Sequence, residues 1–130
     1  MLNWKEYRTW LMSKLGGFSK LSPDTMKGYQ TLARANGENG VLDAKTRELI
    51  AMAVAVTTRC DGCITVHADA ARKAGATEQE LAEALGVAVA MNAGAAMVYS
   101  ARALDAFNQQ LIFLCGRAQR FWRCALSVMW

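Results

Sequence analysis

Four residues have the types and spacing to do chemistry: Glu48, Cys60, Cys63 and His67, in the pattern E-x11-C-x2-C-x3-H. Two thiols three residues apart can interconvert with a disulfide, and the single histidine of the chain, four residues after the second thiol, can hold or pass a proton. At about 100° per residue on an α-helix, Cys63 stands about 60° from Cys60 and His67 about 20° from it, so the three share one stripe. Thr58 with Asp61 reads as an N-cap followed by an acid at the third helical position, which places Cys60 in the first turn. Unpaired N–H groups and the helix dipole favour an anion there, in this case a thiolate, and Arg59 adds a positive charge beside it. Glu48 also has a plainer reading: with Lys45 and Arg47 it can simply belong to the solvated charges of its helix.

Two other uses compete for the thiols. Cys60, Cys63 and His67 are all zinc-ligand types, with Cys115 or Cys124 as a possible fourth, but no second ligand pair stands at the tight spacing of a structural zinc site. Cysteine is also a common core residue. Burial accounts for one thiol, not for a pair aligned with the only histidine.

The elements that must carry these residues read as helices. Alanine is abundant, β-branched runs are scarce and there is 1 proline in 130 residues, so the expected class is all-α with about six helices. Asn3 with Glu6 resembles a capping box, and Tyr7, Trp10, Leu11 and Leu15 recur at helical spacing up to a stop at Gly16–Gly17. The aromatics Trp4, Tyr7 and Trp10 suit a core or a subunit contact. Ser22-Pro23-Asp24 opens a second helix that ends in the turn-forming stretch 36–40. Asp43 opens a third, running to about Val56 and expected to be buried on most sides. The fourth spans Cys60 to Lys73 and closes at Ala74-Gly75. Thr77 with Glu80 caps a fifth, whose small residues invite close approach by another backbone; a break near Asn92–Gly94 is expected before a last helix through Phe107.

Length favours one domain, residues 1–109, followed by an apolar, basic tail, 110–130. Arg117, Arg120 and Arg123 supply three of the four net positive charges, which leaves the body near neutral and gives no electrostatic case for nucleic acid. The uncharged runs of the tail are too short for a bilayer span; it reads as an amphipathic surface helix, a subunit-bridging segment or an extraneous end. The N-terminus lacks the apolar segment of a signal peptide, so the four cysteines point to a reducing cytoplasm rather than a secreted disulfide scaffold.

The string Glu48-x11-Cys60-x2-Cys63-x3-His67, with its Thr-Arg-Cys lead-in and the small-residue fifth helix, resembles the alkyl hydroperoxidase D-like family within the carboxymuconolactone decarboxylase superfamily. The resemblance spans roughly residues 20–108. The decarboxylase branch lacks the cysteine pair, so the pair favours the redox branch. The resemblance implies an all-α subunit that assembles into trimers or hexamers and reduces a hydroperoxide with no bound cofactor or metal. It further implies Cys63 as the peroxidatic thiol, Cys60 as the resolving thiol, a proton relay through His67 and Glu48, and a dithiol protein as electron donor. The residues alone leave the order of the thiols open: the helix start favours Cys60 as the more acidic, while His67 is four residues from Cys63. A disulfide reductase or redox sensor is the alternative activity. Two features depart from the family: the chain is shorter than members with two similar helical halves, and the tail from Gln110 has no counterpart.

Overall fold

The computed structural model describes residues 2–35, 37 and 40–126, with side chains to residue 109. Five helices and no strand are present among the described residues: α1 (Trp4–Leu21), α2 (Pro23–Arg34), α3 (Ala44–Thr57), α4 (Asp61–Lys73) and α5 (Glu78–Leu126). They form two units, Met1–Ala90 and Met91–Trp130, divided within α5. The expected sixth helix is absent because α5 is continuous through Asn92–Gly94. The alanines on both sides of Gly94 are the best helix formers, and no proline interrupts the ladder.

Local signals set most helix ends. The Asn3 carboxamide accepts the Glu6 N–H at 3.3 Å and starts α1. The Asp43 carboxylate accepts the Thr46 N–H at 2.7 Å and starts α3; that bond is the main reason its carboxyl lies below the usual carboxylate range. Before α5, Thr77 and Glu80 form a reciprocal box, Thr77 N–H to Glu80 Oε2 at 2.8 Å and Glu80 N–H to Thr77 Oγ1 at 3.2 Å. The expected stop at Gly16–Gly17 does not occur, and α1 continues to Leu21. Each glycine costs only about 1 kcal/mol in a helix, and both face open space. Pro23 ends the run by forcing Ser22 out of the helical region (φ −137°, ψ 71°). Of the expected turn at 36–40, residues 36, 38 and 39 lie outside the described residues; the Gly37 N–H reaches the Arg34 carbonyl at 2.9 Å.

In the first unit α3 packs on α4, and α1 on α4 and α2. Met52, Ala55, Thr65, Ala71 and Ala88 are buried. The expectation that α3 is buried on most sides is corrected: Ile50 and Val54 remain 50% and 55% exposed, so its buried face is a narrow stripe. On α1, Tyr7 stacks on Trp10 at 5.8 Å and meets Trp4 edge-on at 6.4 Å, while Trp4 and Trp10 stay exposed. Lys45 Nζ on α3 reaches Glu80 Oε1 on α5 at 2.7 Å, and with the Thr77 bonds this holds the Glu80 carboxyl down at about 2.

In the second unit the Arg102 guanidinium lies 5.0 Å over the Tyr99 ring. Met91, Met97, Val98, Leu104 and Phe107 are exposed. By length and composition alone, Glu78–Gln109 is apolar enough to cross a membrane. Residues 127–130 of the expected tail lie outside the described residues, as do the side chains of 110–126.

Candidate active site

The α3–α4 hairpin builds the site. Three residues, 58–60, join the two helices, a link short enough to fold α4 back along α3. Glu48 on α3 thereby meets His67 on α4, with Glu48 Oε2 and His67 Nδ1 2.7 Å apart. The two side chains are 25% and 33% exposed. Glu48 is therefore not one of a solvated set with Lys45 and Arg47: Lys45 turns to Glu80, and Arg47 donates to the Gly37 carbonyl at 3.1 Å. When Nδ1 donates to the carboxylate, Nε2 becomes the ring's proton acceptor, and the carboxylate fixes the ring's orientation.

The turn itself is a Schellman closure of α3. The Cys60 N–H bonds to the Ala55 carbonyl at 3.0 Å and the Arg59 N–H to the Val56 carbonyl at 3.2 Å. Arg59 takes the left-handed position at φ 55°, the only non-glycine among the described residues to do so. The same motif closes α4, with the Ala76 N–H to Ala71 at 3.0 Å, the Gly75 N–H to Arg72 at 3.1 Å, and Gly75 at φ 80°.

This closure corrects the expected start of α4. Thr58 caps the C-terminus of α3, with its hydroxyl donating to the Val54 and Ala55 carbonyls at 3.0 and 3.3 Å. The N-cap of α4 is Cys60, whose sulfur accepts the Cys63 N–H at 3.1 Å, a position usually held by an oxygen. Asp61 is accordingly the first helical residue rather than the third. Cys60 lies just outside the helix, so the shared stripe strictly joins Cys63 and His67, four residues apart on one face. Cys60 and Cys63 are disulfide-bonded, with Cα atoms 5.2 Å apart, and both residues are partly buried.

Helix α1 supports this region through contacts that sequence periodicity does not reveal. Arg8 Nη1 pairs with Asp69 Oδ2 at 2.7 Å, and the buried Thr65 hydroxyl donates to the Trp4 carbonyl at 3.3 Å. Lys73 and Arg8, in that order, hold the Asp69 carboxyl below its usual range. A Cβ at Gly62, between the two cysteines, would come within 3.1 Å of Leu11 Cδ2. The one sequence signal for this close approach is the glycine inside the Cys-x-x-Cys segment. A surface cleft of about 410 Å³ also runs along α1, lined by Lys5, Glu6, Thr9 and Trp10 and by none of the four site residues.

No group of three or more His, Cys, Asp or Glu side chains is placed to hold a metal among the described residues. The side chains of Cys115 and Cys124, the candidates for a fourth ligand, lie outside them.

Comparison with known proteins shows the family of the chain. The model of the carboxymuconolactone decarboxylase family matches residues 23–106, from the start of α2 to beyond the site. An uncharacterized protein of Haemophilus influenzae is 54% identical over 108 residues, covering 83% of this chain and 96% of that protein. An uncharacterized protein from the cox locus of Paracoccus denitrificans is 37% identical over 95 residues, 73% of this chain and 86% of that protein. The crystal structure of a carboxymuconolactone decarboxylase family protein from Legionella pneumophila, in its apo form, aligns with a TM-score of 0.65 at 42% identity, covering 82% of this chain and 95% of that one. The chain belongs to the carboxymuconolactone decarboxylase family.

Proposed function

We propose that the protein is a thiol-dependent peroxidase of the alkyl hydroperoxidase D type, working in a reducing cytoplasm with a dithiol protein as electron donor. The observation that carries this reading is a Cys60–Cys63 disulfide at the start of α4, one helical turn before His67, whose ring is paired with Glu48 of α3. In the proposed cycle the Cys63 thiolate attacks the outer oxygen of the hydroperoxide and the O–O bond breaks. The leaving alkoxide takes a proton from His67 and departs as the alcohol. Cys63 is now a sulfenic acid; Cys60 attacks its sulfur, the S–O bond breaks, water leaves and the disulfide forms. Two electrons from the donor dithiol then restore both thiols. Glu48 holds the ring and supports its positive charge when it carries two protons.

The subunit is further proposed to assemble into a trimer or hexamer. Exposed aromatics on α1 and exposed apolar residues along α5 offer the surface for it. The same assembly accounts for the apolar character of Glu78–Gln109 without a bilayer, and the near-neutral body favours no nucleic acid.

The test is steady-state consumption of an organic hydroperoxide with a panel of small and protein dithiols, run beside insulin disulfide reduction. Hydroperoxide turnover with at least one dithiol, well above insulin reduction, is the expected result. Insulin reduction without hydroperoxide turnover would replace the peroxidase with a disulfide reductase.

A further inference from the structure

The two sulfurs of the disulfide stand in different surroundings. Cys60 Sγ is the N-cap acceptor of α4 and already receives the Cys63 N–H at 3.1 Å. Cys63 lies inside the helix, one turn before His67, whose Nδ1 is held by Glu48. Reduction of a disulfide by a thiol has two leaving events, and each sulfur here has its own provision for leaving.

From this asymmetry we infer that the reductant attacks Cys63 and that Cys60 is the first sulfur to leave; the inference rests on the dithiol cycle proposed above. A donor thiolate bonds to Cys63 Sγ, the Cys60–Cys63 bond breaks, and its electron pair stays on Cys60. The resulting Cys60 thiolate keeps the amide hydrogen bond it had as a disulfide sulfur, so its departure needs no proton and no rearrangement of the helix start. The second donor thiol then attacks the donor's own sulfur in the mixed disulfide. Cys63 leaves with the remaining electron pair and takes its proton from the neighbouring His67. The donor ends as a disulfide, and the protein carries both thiols. In the opposite order Cys63 would leave first, and its stabilisation would depend on a protonated His67. The backbone N–H at Cys60 is fixed in the fold and needs no proton from a side chain, so the preference for Cys63 as the attacked sulfur is set by the helix start. Cys63 is then the electrophilic sulfur both when the disulfide closes and when it opens, with Cys60 as nucleophile in the first case and leaving group in the second.

The oxidised, full-length protein is mixed with 2-mercaptoethanol, a monothiol that cannot resolve its own adduct by cyclisation. Aliquots are quenched at short times, free thiols are capped with N-ethylmaleimide, and the peptides are mapped by mass spectrometry at pH 6 and pH 8. Extrapolated to zero time, mercaptoethanol on Cys63 with maleimide on Cys60 should exceed the reverse by about tenfold, the scale of one hydrogen bond to a charged group, at both pH values. An equal distribution, a majority adduct on Cys60, or a preference that inverts between the two pH values would overturn the inference. No peroxide enters this experiment, so its outcome is separate from that of the hydroperoxide assay.

Discussion

Arg59→Gly, made together with Gly75→Ala, probes the turn that sets the site. Both positions are the left-handed residue of a Schellman closure, at φ 55° and φ 80°, and the paired hydrogen bonds match within the two motifs. A side chain at such a position costs roughly 1–2 kcal/mol, and glycine returns about 0.5–1 kcal/mol of that through its greater freedom in the unfolded chain. The Arg59 side chain is exposed and makes no hydrogen bond or ion pair among the described residues, so its removal sacrifices little else and leaves the backbone bond to Val56 in place. Arg59→Gly should thus stabilise by about 0.5–1 kcal/mol, a rise in Tm of about 2–5 °C for a domain of this size. Gly75→Ala should destabilise by about 1 kcal/mol, since open space surrounds its Cβ and only the backbone objects. Calorimetry at one fixed protein concentration reads both. A loss of stability in Arg59→Gly, or no loss in Gly75→Ala, would refute this reading of the two turns.

Three further outcomes follow from the packing. The Glu80 carboxyl is lowered in the fold to about 2, so the stability it contributes is present above its unfolded value near 4.5 and fades as the pH falls toward 2; Lys45→Met should flatten the acid limb of the denaturation midpoint between pH 5 and pH 2.5, and an unchanged limb would remove the Lys45–Glu80 bond from the explanation. Thr65→Val deletes a buried donor to the Trp4 carbonyl and should cost about 0.5–1.5 kcal/mol, with faster amide exchange in α1 than in α3; uniform exchange would show that α1 does not depend on this tie. Light scattering at micromolar concentration should give a trimer or hexamer mass, and a monomer mass would refute the assembly proposed from the exposed faces of α1 and α5.

Helix starts were legible from sequence because caps are local: Asn3, Asp43 and the Thr77–Glu80 box each complete their bonds within three residues. Two expected interruptions leave their helices continuous, for one reason. Gly16–Gly17 and the Asn92–Gly94 stretch weaken a helix by amounts that their helix-forming neighbours offset, whereas Pro23 does not allow continuation. Thr58 is a good N-cap type, but the closing turn of α3 takes it first, and a cysteine sulfur fills the vacancy. Nothing local marks that competition, because the left-handed residue is an arginine rather than the customary glycine. Glu48 was harder still: helical periodicity places it among charges, and only its fixed spacing to the cysteines and histidine ties it to His67. The docking of α1 through Arg8–Asp69 and Leu11–Gly62 joins residues more than fifty positions apart, and its one mark in the sequence is the glycine between the two cysteines.

The most direct test of the proposed chemistry is hydroperoxide turnover by the Glu48→Gln variant, measured with a dithiol that supports the unmodified protein. Glutamine keeps the size of the side chain and a carbonyl for His67 Nδ1 but removes the charge 2.7 Å from the ring. With the helical spectrum and Tm retained, turnover should fall by about 10²–10⁴-fold, the range of a positioned acid–base group. Adding His67→Gln should lower it little further, because the two side chains act as one unit. Unchanged turnover in a folded Glu48→Gln protein would contradict the relay and leave the Glu48–His67 pair as a structural contact of the hairpin.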